Sequence, residues 1–169
     1  MPQQPQVTEV KIANLKPYPH NYNVHSPEQL NEIAHSLDMF HQFKNIVTWQ
    51  GFILAGHGLV EAAQKLGWET VEARDMSHLS QEEAEALLVA DNETANLASP
   101  DYAKLQALIE QAQAAGMAVP GVTAARLQEI VEMAREFNPV GPDKQPRLDR
   151  KEPVYCPHCG ENIHDEPKG

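Results

Sequence analysis

The sequence predicts an α/β fold of the α+β kind, a small mixed sheet with helices followed by a helical region. Three observations point there. Short apolar runs at 46–49, 52–55 and 70–74 alternate with amphipathic helical patterns through the first half of the chain. Helix-capping residues open the helical stretches at Ser26 and Ser80. Beyond residue 80 only helical periodicity remains.

The elements follow in order. A weak strand pattern covers Val7 to Ile12. Ser26-Pro27-Glu28-Gln29 reads as a capping box with proline at the first helical position. Leu30, Ile33, Ala34, Leu37 and Phe40 then recur at helical spacing, so a helix is expected over 27–40. Ile46 to Trp49 and Phe52 to Ala55 read as strands joined by a two-residue turn at Gln50-Gly51. Gly56-His57-Gly58 leads into a helix over 59–66, lined by Val60, Ala63 and Leu66 and stopped by Gly67. A strand is expected over 70–74. Ser80-Gln81-Glu82-Glu83 caps a helix over 81–92, Ser99-Pro100-Asp101 opens one over 101–115, and Thr123 caps one over 124–137.

Composition bounds the function. The 169 residues suit one domain with a tail: a domain over 1–137, a proline-rich linker over 138–153 and a short cysteine-bearing tail over 154–169. No apolar run approaches the roughly 20 residues of a membrane span. The first residues lack the basic flank and apolar core of a secretory signal, so a cytoplasmic protein is expected. The net charge is −11, and residues 1–137 carry most of it, with eight Lys+Arg against eighteen Asp+Glu. Proteins that grip DNA unaided neutralise phosphates with a basic footprint. DNA is therefore expected to be bound only weakly or through a partner protein.

The segment Gly56-His57-Gly58 has the chemistry of an anion-binding turn. The first turn of a helix leaves N–H groups without partners, and the helix dipole adds partial positive charge. Glycines let the backbone approach a ligand closely. A phosphate or carboxylate fits such a turn, and so does a plain strand-to-helix corner. His57 can serve there as a packed histidine, a phosphate contact or an acid/base.

Several segments in register resemble the ParB/sulfiredoxin-like superfamily, in particular the ParB N-terminal domain of phage and plasmid type. Pro17-Tyr18-Pro19-His20-Asn21-Tyr22-Asn23-Val24-His25-Ser26 with Gln29 is similar to its opening. Phe40-His41-Gln42 and Ile46-Val47 resemble its Phe-Gly-Gln…Pro-Ile-Val segment. Ile53 to Gly58, then Glu61-Ala62-Ala63 and Leu66-Gly67, resemble its Gly-rich box, and Ala90 to Glu93 its Ala-Asp-Asn segment. The resemblance spans roughly residues 8–137. It implies a nucleotide site holding CTP or ATP with Mg²⁺, with Gly56, His57, Gly58, Asp91, Asn92 and Glu93 facing the phosphates and Gln42 nearby. The acidic Asp91 and Glu93 imply a bridging cation, since they would otherwise repel a triphosphate. The chain departs from the family at Leu59 and Asn23, where many relatives have arginine, a residue that forks onto phosphate. It has no cysteine in the domain, which argues against sulfinic-acid reduction, and no helix-turn-helix is expected after Phe137.

Cys156-Pro157-His158-Cys159-Gly160 resembles half of a zinc knuckle. His164 follows at Cys-x2-Cys-x4-His spacing, so Cys156, Cys159 and His164 are candidate zinc ligands; a metal-free tail is the alternative.

Three functions follow. The first is a nucleotide-binding accessory protein in phage, plasmid or mobile-element DNA metabolism, alongside DNA methyltransferase functions and compatible with a homodimer. The second is a metal-dependent nuclease or NTPase with His57 as its catalytic residue, aided by His25, Asp91 and Glu93. The third is a non-catalytic binding adaptor.

Overall fold

A computed structural model of the chain describes residues 5–136, 155 and 157–159. The chain divides into two units, Met1–Phe137 and Asn138–Gly169. Among its described residues the first contains a five-stranded sheet and five helices. In chain order these are β1 (Val7–Lys11), a short 3₁₀ turn (Ile12–Asn14), β2 (Lys16–Pro17), α1 (Pro27–Phe40), β3 (Ile46–Trp49), β4 (Phe52–Ala55), α2 (His57–Lys65), β5 (Thr70–Asp75), α3 (Gln81–Asn96), α4 (Tyr102–Ala114) and α5 (Ala124–Glu136).

The sheet order is β1-β5-β3-β4-β2. β1 runs antiparallel to β5 from Val7↔Arg74 to Lys11↔Thr70, and β5 runs parallel to β3. The β3–β4 pair is an antiparallel hairpin closed at Trp49↔Phe52, with a register irregularity at Val47/Thr48. Its turn residues Gln50 and Gly51 both have positive φ (49° and 81°), as the mirror-image turns that suit a right-twisted hairpin require. β2, too short for its periodicity to be read, pairs parallel with β4 through Lys16↔Phe52 and Pro17↔Ile53.

Strand residues alternate between two cores. On one face Ile46, Ile53, Val71 and Ala73 pack with Leu37 of α1 and Val60, Ala62 and Ala63 of α2. On the other, Trp49 and Leu54 pack with Tyr18 and with Ala84 and Leu88 of α3. Both faces of the sheet are thus covered by helices. α4 and α5 pair with each other, burying Ile109 and Ile130, and their connection reaches α1 through a 2.6 Å bond from the Gly121 N–H to Glu32 Oε2.

Three expectations shift. The Ser26 hydroxyl accepts the Gln29 N–H at 3.1 Å, but the Gln29 side chain turns to His25 Nδ1 (3.2 Å), so only half of that capping box forms; at Ser80 both halves form with Glu83. α2 begins at His57, not at residue 59, because Gly56 itself takes the N-cap in a left-handed conformation (φ 93°). α3 continues to Asn96, beyond the expected end at 92.

Candidate functional site

The strand-to-helix corner is built on two glycines with different reasons to be glycine. At Gly56 a Cβ would stand 2.7 Å from Ile46 Cγ2, and its φ of 93° already disfavours a side chain. At Gly58 a Cβ would meet His25 Cε1 and Nε2 and Ile33 Cδ1, each at 3.1 Å. Gly58 therefore lets the loop before α1 and α1 itself close onto the start of α2. It is buried, so a valine there would disturb packing.

His57, at the first helical position, is 7 % exposed. Its Nε2 accepts the backbone N–H of Tyr18 at 3.3 Å. An accepting Nε2 carries no proton, so the ring is the neutral Nδ1–H tautomer. Burial pushes its pKa below the ordinary histidine value, with His25 adding to the effect and Glu61 opposing it. Tyr18 opens a loop that α3 holds from the other side. Glu85 Oε1 accepts the Tyr18 hydroxyl at 2.9 Å and lies 3.0 Å from His20 Nδ1, and Glu93 Oε1 accepts the Tyr22 hydroxyl at 3.3 Å.

Beside the corner lies a cleft of about 690 Å³. Its lining includes Gly56 and Leu59 from the corner, His25, Gln29, Ile33 and Ser36 from α1 and the loop before it, Asp91, Asn92, Ala95 and Asn96 from α3, and Asn23, Phe43, Lys44 and Asn45. A smaller cavity of about 200 Å³ adjoins it and is lined by His57, Gly58 and Asn21 together with Asn23, His25, Gly56, Leu59 and Asn92. The volume suits a small organic ligand. Gly56 and Leu59 at the start of α2 line it, and Gly56 offers no side-chain cap to the first-turn N–H groups.

The structure thus brings Gly56, His57, Gly58, Asp91 and Asn92 around two adjoining cavities. It does not bring Gln42 there. Gln42 donates to the carbonyls of Glu72 (2.7 Å) and Lys44 (3.0 Å) and accepts the Glu72 N–H (2.8 Å), acting as a clamp on β5, and it lines a separate groove of about 480 Å³. Glu93 is also absent from both linings. Continuation of the helix puts residues 91, 92, 95 and 96 on one face and rotates 93 away, toward Tyr22. Sequence reasoning missed Lys44, Asn45 and Asn96. The Asn92/Asn96 pair at i, i+4 was the available signal for the last of these. Among the described residues no group of three or more His, Cys, Asp or Glu is arranged to hold a metal. Cys156 and His164 lie outside the described residues; Cys159 is exposed.

No protein-family model matches the chain. The ParB-like nuclease domain-containing protein YnaK of Escherichia coli (strain K12) is 34 % identical over 73 residues, which is 43 % of this chain and 84 % of that protein. The chain belongs to the ParB-like domain family. The ParB-like fold is seen directly in the C-terminally truncated chromosome-partitioning protein ParB from Caulobacter crescentus, crystallised with CTP-gamma-S. That structure matches with a TM-score of 0.58 at 16 % identity, over 75 % of this chain and 71 % of that one. A sulfiredoxin from Arabidopsis thaliana matches with a TM-score of 0.42 at 17 % identity, over 50 % of this chain and 98 % of that one. The α/β architecture of this ParB-like chain is the ParB-like fold.

Proposed function

We propose that the chain is a nucleotide-binding accessory protein of the ParB-like family, acting in phage, plasmid or mobile-element DNA metabolism alongside DNA methyltransferase functions, and that the cleft at the start of α2 is its ligand site. The observation that carries this reading is the 690 Å³ cleft bounded by Gly56, Asp91 and Asn92 at an uncapped helix N-terminus. The ParB neighbour's complex with CTP-gamma-S supports the ligand class. In this reading Gly56 and the first-turn N–H groups take the anionic part of the ligand. Gly58 and the neutral, buried His57 hold the corner and the Tyr18 loop in place. A triphosphate of the CTP or ATP type would need Mg²⁺ beside Asp91 to offset repulsion. DNA contact would come weakly or through a partner, given the eighteen acids against eight bases in residues 1–137.

The nuclease reading has less support. Its general base would be His57, whose Nε2 is occupied by Tyr18, and of its two carboxylates only Asp91 lines the cleft. The tail, by its Cys-x2-Cys-x4-His spacing, is proposed to hold zinc through Cys156, Cys159 and His164, and metal analysis of protein kept from chelators tests this. The main reading is tested by calorimetric titration with CTP, ATP, GTP and UTP, with and without Mg²⁺ and DNA. Saturable heat with at least one nucleotide is expected. No heat with any of them, nor with the corresponding monophosphates and nucleosides, at millimolar concentration would leave the adaptor reading in first place.

A further inference from the structure

Resting on the nucleotide reading, the charge and amide content of the cleft narrow the ligand further. Lys44 is the one side chain in its lining with a permanent positive charge, and Asp91 the one carboxylate. Neither makes an ion pair among the described residues. The remaining polar lining is dominated by amides, from Asn23, Gln29, Asn45, Asn92 and Asn96. We infer that this cleft selects a nucleoside carrying at most one phosphate, rather than a nucleoside triphosphate.

Volume does not decide the matter, because about 690 Å³ would admit either ligand. Charge does. A phosphate monoester carries about −1.5 to −2 near pH 7. Lys44, with the roughly half charge of a helix N-terminus, can answer one such group. A triphosphate spreads further charge over two more groups. The cleft has no second lysine or arginine to meet them, and Asp91 repels them. Amides offer the opposite chemistry: each presents both donors and an acceptor, the complement of ribose hydroxyls and base edges. Asn92 spends one donor on the Leu88 carbonyl (3.1 Å) and keeps its acceptor oxygen. The side chains of Asn45 and Asn96 make no hydrogen bond among the described residues. Phe43, in the lining and 63 % exposed, supplies a face on which a base can stack.

The test is a calorimetric comparison on the full chain of cytidine, CMP and CTP, and of adenosine, AMP and ATP, with Mg²⁺ present and again without it. In both buffers the monophosphate or the nucleoside of at least one base should bind at least about tenfold tighter than its triphosphate. Lys44→Ala should weaken the monophosphate and leave the nucleoside unchanged. Asn23→Arg, on an exposed loop position, should shift the preference toward the triphosphate, and Leu59→Arg provides a second cation in the lining. A triphosphate that binds the unmodified chain as tightly as its monophosphate, or tighter, overturns the selectivity while leaving the nucleotide reading intact. Absence of binding by all six compounds overturns both.

Discussion

His57 Nε2 accepts the backbone N–H of Tyr18 at 3.3 Å, fastening the first residue of α2 to the start of the loop that carries Asn21, Asn23 and His25 to the cleft. An imidazole between two glycines at a helix start looks like a ligand contact in the sequence. In the fold its ring faces inward, and its geometry is that of a positioning residue.

Replacement of that acceptor gives a first prediction. His57→Ala leaves the buried Tyr18 N–H without its partner and opens a small void. It should lower unfolding stability by about 1–3 kcal/mol in urea denaturation. Ligand affinity should fall with it, because the Tyr18 loop forms part of the wall. Full stability in the variant would show that the bond is dispensable.

The same residue predicts a pH dependence. Burial holds the folded pKa of His57 below its unfolded value near 6.5. At pH values between the two, the unfolded chain binds the additional proton, so stability rises with pH across that window. The contribution is complete above about pH 6.5 and is lost as pH falls from there toward the folded pKa. The lowered carboxylates Glu28, Glu85 and Asp101 act in the same sense but in a more acidic window, below their ordinary values of 4.5, 4.5 and 3.8. Melting temperatures measured from pH 7.5 down to 5 should therefore decline, and the decline should be smaller in His57→Gln. An equal slope in both proteins would assign the titration elsewhere.

Gly58 gives a third prediction, on packing. A Cβ there meets the His25 ring and Ile33 at 3.1 Å. Gly58→Ala should cost little if His25 shifts by a few tenths of an ångström, whereas Gly58→Val should cost about 1–3 kcal/mol as an overpacked buried site. Gly56→Ala should be worse than Gly58→Ala, since it combines a 2.7 Å clash with a φ of 93°. Denaturant midpoints of the three variants give the order.

His41 carries the fourth. It caps the C-terminal end of α1 with φ 57° and ψ −165°, a region that a residue with a Cβ occupies at a cost of order 1–3 kcal/mol. Its side chain is exposed. His41→Gly should raise stability by about 1 kcal/mol. A loss of stability would mean that the imidazole makes a contact worth more than the strain.

Much of this fold was legible because its boundaries are chemical. Ser80 with Glu83, Ser26 with Pro27, Asp101 and Thr123 each announce a helix start, and Gln50-Gly51 announces the hairpin. β2 was not legible, since two residues, one of them proline, carry no period; its pairing with β4 is purely tertiary. The candidate site's place in the fold was legible, its lining less so. Gly56, Asp91 and Asn92 converge because α3 packs on β4, bringing its C-terminal part beside the strand-to-helix corner that follows β4. Gln42 and Glu93 do not, because the first finds backbone partners on β5 thirty residues away and the second is rotated off the cleft by one step of the helix. The first outcome depends on a long-range contact; the second follows from the helical period once α3 is seen to run through residue 93.

Occupation of the cleft beside Gly56 by a nucleotide can be read residue by residue from amide chemical-shift mapping of the labelled full chain during titration with CMP and CTP. Saturable shifts are expected, concentrated at Gly56, Leu59, Lys44, Asn45 and Asn92, with little change along β1 and the groove beside Gln42. Shifts confined to that groove, or no shifts at millimolar nucleotide, would contradict such occupation.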